Sequence, residues 1–269
     1  MHLQKKIILV DLLGGFGNQL FQILFAKKLS TNNKVYINDE EYKKKVSNLT
    51  KRKIEIPPEI FELKTASSLL VFFFKIIKKF NFYSWVNDDI KNLTNTKFIR
   101  FTGYWQNYEI IKENKNYLID IFSKIEPTLL QSLESKKVGS TLIHVRRSDY
   151  LGIKEELALE YYSSALKYCK NNILDFNYSV FTDDINFVLE NPNVFSNYKS
   201  LYTDEKSTLE IFFKMFEFEN YVIANSTFSL IPAILNESKK TKVIYPKPWF
   251  KNNMYNFNFP NNWISITNL

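Results

Sequence analysis

Short apolar runs that end on glycine, hydroxyl or charged residues, each followed by a segment of helical period, recur along the chain and restrict it to an α/β fold. Residues 7–12 read as a strand, Gly14-Gly15-Phe16-Gly17-Asn18 as the turn after it, and residues 19–29, apolar at Leu20, Ile23, Leu24, Ala26 and Leu29, as a helix. Residues 35–37 and 98–105 give two further strand signals, the latter running into an aromatic loop, while residues 109–133 read as helical with an interruption at Pro127. The alternation resumes with a strand over 141–146, a helix over 159–170, a strand over 177–181, helices from 185 and over 209–218, a buried strand over 221–224, a helix over 226–235, and a strand over 243–245 closed by Pro246 and Pro248. Two α/β lobes fit this pattern, with the boundary between about 125 and 140 and set at 135/136. In open parallel sheets ligands bind outside the carboxyl ends of the strands, so the residues that follow each run are the ones to inspect.

The motif at the C-terminal end of the 141–146 strand is His144-Val145-Arg146-Arg147-Ser148-Asp149-Tyr150. It sets two guanidiniums beside a carboxylate, and an arginine fork matches two phosphate oxygens while keeping its charge at physiological pH. A solvated basic patch is the plain alternative. Gly14-Gly15-Phe16-Gly17-Asn18-Gln19 follows the first strand and opens the first helix, where glycines allow a close backbone approach and free amides meet an anionic or hydroxyl-rich ligand. Leu20 stands where a dinucleotide fingerprint needs its last glycine, which argues against a Rossmann dehydrogenase. Asn225-Ser226-Thr227-Phe228-Ser229 lies between a strand and a helix, where hydroxyls and amides contact phosphates or act as ordinary N-caps. Asp183 and Asp184 are adjacent rather than spaced as a D-x-D metal motif, and Asp at such a turn is also a common cap.

A chain of 269 residues with 45% hydrophobic and 16% aromatic content can bury a core, which excludes a disordered protein. The formal net charge of +8 suits an anionic partner: a nucleotide sugar, a lipid phosphate surface or nucleic acid. No nucleic-acid motif is present, so nucleic acid is not the expected partner. One cysteine and two histidines leave no intrachain disulfide and argue against a zinc site. The first residues lead straight into a strand, too short for a signal segment, and the expected location is cytoplasmic. Residues 69–80 combine bulky apolar side chains with three lysines, which suits either a core-packed helix or peripheral docking on the anionic inner face of a membrane.

Taken together, Gly14-Gly15-Phe16-Gly17-Asn18-Gln19-Leu20-Phe21-Gln22, Gly103-Tyr104-Trp105-Gln106, the block from His144 to Tyr150, Phe181-Thr182-Asp183-Asp184, Ile223-Ala224-Asn225-Ser226-Thr227-Phe228-Ser229 and Pro246-Lys247-Pro248-Trp249-Phe250 resemble, in order and spacing, the motifs of the α-1,2-fucosyltransferases of glycosyltransferase family 11. The resemblance implies a GT-B-like fold of two Rossmann-like lobes with a cleft between them: residues 1–135 as the acceptor-side lobe, residues 136–269 as the GDP-sugar lobe, and a tail from about 250 packing back on the first. It implies a hexosyltransferase that moves L-fucose with inversion from GDP-L-fucose to the 2-hydroxyl of a galactose-terminated, lipid-linked acceptor in surface glycan of the O-antigen type, with no metal or other cofactor. Arg146 would then contact the donor pyrophosphate. Arg147 and Asp149 would shape that pocket, with Asp149 also the candidate carboxylate for the acceptor proton, although a carboxylate flanked by arginines is a poor base. His144 would contact the donor or bond to backbone; Ser226 and Thr227 would donate to the β-phosphate, with Asn225 and Phe228 in the same loop; Asp183 and Asp184 would lie near the nucleotide. Gly14, Gly15, Gly17, Asn18 and Gln19 would face the cleft near the acceptor. The chain departs from the family pattern at Phe16, at Ser148 and at Leu230-Ile231, where the family often has a tryptophan pair.

Overall fold

The computed structural model describes residues 5–43, 52–79, 83–87, 96–203, 205–251 and 257–268. The chain divides into two compact units, residues 1–114 and 115–269. In the first, strand β1 (Ile7–Asp11) leads through a tight turn into helix α1 (Phe16–Ser30), then β2 (Lys34–Asn38), the short α2 (Glu40–Lys43), β3 (Lys64–Thr65), α3 (Ser68–Lys79), β4 (Tyr83–Asn87), β5 (Phe98–Thr102) and α4 (Tyr108–Glu113). The strands form one sheet in the order β3-β2-β1-β5-β4 with every pairing parallel. β1 is central and its Ile8, Leu9 and Val10 are fully buried, as a strand covered on both faces must be. α1 begins at Phe16, so Gly17 and Asn18 belong to its first turn rather than to the loop before it.

The second unit opens with α5 (Lys115–Ile125) and α6 (Leu129–Glu134), then β6 (Ser140–Val145), α7 (Ser148–Ile153), α8 (Leu159–Asn172), β7 (Asn177–Thr182), α9 (Ile185–Glu190), β8 (Leu201–Tyr202), α10 (Thr208–Lys214), β9 (Asn220–Val222), α11 (Thr227–Leu235), β10 (Val243–Lys247) and β11 (Ile264–Thr267). Its sheet is also all parallel, in the order β11-β10-β9-β6-β7-β8. Each unit is therefore the parallel α/β sheet that the alternating pattern predicts.

Three details differ from the sequence reading. The division falls at Asn114/Lys115 because α5 packs with the second unit: the ring of Phe122 meets those of Phe212, Phe213 and Phe216 edge-on at 5.6, 5.6 and 6.4 Å. The tail contributes a strand, β11, to the second sheet. Pro246 lies inside β10 instead of closing it. β9 pairs with β10 only as far as Ile244, so the missing amide of Pro246 falls beyond that ladder.

The turn into β6 depends on Gly139. Its φ is +72°, and a Cβ there would come within 2.3 Å of the Asp175 carbonyl oxygen and 2.4 Å of that of Leu174. Backbone cannot yield as a side chain does. Gly139→Ala is expected to cost about 2 kcal/mol or more, read as a lowered urea midpoint, whereas Gly15→Ala, where a Cβ meets nothing within 4 Å, should leave the midpoint nearly unchanged.

Candidate functional site

Because β9, β6 and β7 are neighbours and parallel, their carboxyl ends bring three loops of the second unit to one sheet edge: Ile223 to Ser226, Arg146 to Ser148, and Asp183 with Asp184. Asp183 joins two of them. One carboxylate oxygen accepts the amide of Arg147 at 2.8 Å, the other accepts the amide of Ser148 at 3.2 Å and faces the Arg146 guanidinium at 2.9 Å, and its carbonyl accepts the Ser148 hydroxyl at 3.0 Å. Its side chain is only 8% exposed. A buried carboxylate is tolerable when it is this fully satisfied, and the consequence is a loop after β6 held in one conformation.

Arg146 has a second partner, Asp149, at 2.7 Å, whose side chain is 37% exposed. Arg147 turns the other way. Its Nε donates to Asp184 at 3.1 Å and its guanidinium lies 3.8 Å from the centre of the Phe187 ring. The other oxygen of Asp184 accepts the Phe187 amide at 3.1 Å and caps α9. Two arginines thus share three carboxylates, a formal sum of 2 − 3 = −1. Asp149, at 37% the most exposed of the three, is the carboxylate placed to yield a guanidinium to an arriving anion.

His144, at the end of β6, is buried, and its Nδ1 shares a hydrogen bond of 2.8 Å with the Ser229 hydroxyl on α11. Burial, reinforced by the nearby Arg146 charge, pushes its pKa down to about 3, so the ring is neutral and ties the arginine strand to that helix. Ser226 caps α11, its hydroxyl accepting the Phe228 amide at 3.4 Å, and Thr227 is buried beside it. The carbonyl of Asn225 accepts the Tyr150 hydroxyl at 2.9 Å, and its side-chain amide donates to the Glu155 carbonyl at 2.8 Å. Glu155, itself buried, accepts the Lys251 amide at 2.7 Å. Sequence reasoning missed Ser229 as the partner of His144 and Glu155 as the link to Lys251. No local pattern marks either contact, because each joins residues 85 and 96 positions apart. Leu230 and Ile231, the departures from the family's tryptophan pair, are fully buried core.

In the first unit the loop after β1 is held by amide side chains. Gly14 has φ +77°, and a Cβ there would lie 2.6 Å from the Asn18 side-chain nitrogen. The Gly14 carbonyl accepts the Tyr42 hydroxyl at 2.8 Å and the Gln19 amide at 3.4 Å. Gln19 also donates to the Lys53 carbonyl at 2.9 Å and accepts the Glu55 amide at 3.4 Å. At 1% exposure it is a buried tie between loop segments rather than a side chain open to a ligand. Gln22 does the same, bonding Leu13 and Gly103 at 2.9 and 2.8 Å, and Asn18 accepts the Gln106 amide at 2.9 Å. Gly17 is buried in the first turn of α1, and Gly15 caps that helix with its backbone alone. Below the loop, buried Asp11 receives the Arg100 guanidinium at 3.0 and 3.1 Å and the Asn38 amide at 2.7 Å.

The sequence profile of Glycosyl transferase family 11 matches residues 45–267. The chain belongs to that family. The Gly14 to Gln19 loop lies before the matched span; the arginine, aspartate and Asn225-Ser226-Thr227 segments lie inside it. Relatives in sequence include an alpha-1,2-colitosyltransferase of Escherichia coli, 25% identical over 97% of this chain and 99% of that protein. Another is the O-antigen biosynthesis glycosyltransferase WbnK of Escherichia coli, 26% identical over 94% and 98%. Among solved structures, the NodZ alpha-1,6-fucosyltransferase of Bradyrhizobium, soaked with GDP-fucose, aligns with a TM-score of 0.44 at 13% identity, covering 86% of this chain and 93% of that one. Among the described residues no group of three His, Cys, Asp or Glu side chains is placed to hold a metal ion, and no helix is long and apolar enough to cross a membrane.

The His144 ring of this family 11 enzyme makes acid stability a test of the site. An unfolded histidine binds a proton below about pH 6.5, whereas the buried one does not until about pH 3. Stability from the neutral ring is present above pH 6.5 and is lost as the pH falls between those values, at up to about 1.4 kcal/mol per pH unit. Urea unfolding from pH 7 to 4 should therefore show a shallower loss for His144→Gln than for the natural chain; parallel curves would show that the imidazole takes up its proton as readily in the fold as in the unfolded chain.

Proposed function

We propose that this family 11 glycosyltransferase is an inverting, metal-independent galactoside α-1,2-fucosyltransferase, moving L-fucose from GDP-L-fucose to the 2-hydroxyl of a galactose-terminated, lipid-linked acceptor in surface-glycan synthesis. The observation that carries the reading is Arg146, held between a buried and a half-exposed carboxylate just after β6, whose neighbour β9 leads into α11. The motif resemblance supports the donor, the α-1,2 linkage in the name of the colitosyl relative supports the bond formed, and the O-antigen role in the name of the other supports the acceptor class.

In this reading the acceptor oxygen bonds to the anomeric carbon as the bond from that carbon to the β-phosphate oxygen breaks, and the acceptor proton leaves with the solvent. Negative charge grows on the departing GDP through an oxocarbenium-like transition state. Arg146 meets it by releasing Asp149 while Asp183 keeps hold of its other nitrogen. The hydroxyls of Ser226 and Thr227, at the start of α11, add fixed donors. Asp149 is then a positioning residue that occupies the guanidinium until the donor arrives. His144 and Asn225 hold the loops, and Asp184 orients Arg147.

Arg146→Ala should lower kcat for GDP release by about 10²–10³ with the far-UV circular dichroism unchanged. Near-normal transfer by that variant would sink the assignment. Asp149→Asn should lower the donor KM by about two- to fivefold, since the competing pair is half-exposed; Asp183→Asn should instead raise it and cut kcat. Activity should survive EDTA. A second reading rests on the colitosyl relative: the same arginine site serving a different sugar. Comparing GDP-L-fucose, GDP-mannose and a colitosyl donor on one galactoside panel separates the two.

A further inference from the structure

Helix α3 presents an apolar stripe outward as well as inward. Its inner face packs Val71, Phe74 and Ile77 onto the first sheet against Leu9 and Ala66. On the other side Leu69, Phe72, Phe73 and Ile76 are 77, 58, 37 and 39% exposed. Their spacing of 0, 3, 4 and 7 places them in one row. Four of the twelve exposed large apolar side chains among the described residues sit on this one helix, so the row is not the ordinary scatter of single surface leucines.

The charge carried by the helix itself has one sign. Residues 64–79 carry four lysines, at 64, 75, 78 and 79, and no aspartate or glutamate. Lys75 shares Glu40 of α2 at 2.9 Å, and Lys78 is exposed. We infer that this face of α3 docks the first unit on an anionic lipid surface, the helix lying in the interface with Leu69, Phe72, Phe73 and Ile76 in the acyl boundary and the lysine stems reaching back to the phosphates. Apolar residues on one helical row beside basic ones are what such an interface takes. The row offers roughly a few hundred Å², well below the ~800 Å² that each partner buries in a standard protein interface, which favours lipid over a second copy of the chain. The inference is independent of the donor and acceptor assigned above.

Flotation of the full chain with phosphatidylcholine vesicles, with and without phosphatidylglycerol, tests it. The natural chain should float with the phosphatidylglycerol vesicles, lose most of that binding in high salt, and bind pure phosphatidylcholine weakly. Leu69→Ser combined with Phe72→Ser should reduce the bound fraction about tenfold, Lys78→Glu should reduce it several-fold, and both should melt as the natural chain does, because neither alters a buried side chain. Absence of binding by the natural chain, binding indifferent to phosphatidylglycerol, or equal binding by the double variant would each overturn the inference. So would a concentration-dependent dimer, seen by light scattering, that the double variant abolishes without changing flotation.

Discussion

The sheet edge of the second unit where β9, β6 and β7 end depends on one buried carboxylate. Asp183 takes two backbone amides of the neighbouring loop and one arm of Arg146, so the loop after β6 and the guanidinium it carries are fixed from the adjacent strand. Removing water from a carboxylate is costly, and the cost is offset only because each acceptor site is filled by an N–H or a cation. That requirement sets the loop's shape. Asp149 and Asp184 are secondary, each engaged by one arginine and more open to solvent.

The first unit applies the same rule at the end of β1. Asp11 is buried between Arg100 from β5 and Asn38 from β2, so the three central strands are joined across the sheet edge below the Gly14 turn. In both sheets an aspartate at a strand's carboxyl end is neutralised by an arginine from a neighbouring strand. Preorganisation is the shared consequence: the loops at these strand ends are anchored by buried contacts of the fold itself, so little conformational freedom is left to them.

Particular residues show how far the sequence could be read. The helix caps at Ser226 and Asp184 were visible because capping needs only a short polar side chain before a helical run. The strands into Arg146 and Asp183 were visible through their apolar runs. Gln19, which the resemblance puts at a cleft, is buried, and nothing local reveals that Lys53 and Glu55 return to bind its side-chain amide. The stretch over 115–134 reads as part of the first lobe yet packs with the second unit, because its partners, the phenylalanines of α10 and the turn after it, are some ninety residues away.

The sequence by itself determined the parallel α/β class, the strand ends that carry charge and the family to which the motifs belong, because these rest on local periodicity and on residue types at short spacing. Only the tertiary structure decided which carboxylate holds which guanidinium, that His144 is a neutral buried link to Ser229, and that one face of α3 packs inward while the opposite apolar row is left in water. Those outcomes depend on which strands become neighbours, and strand order is set by the packing of the whole sheet rather than by any segment of it.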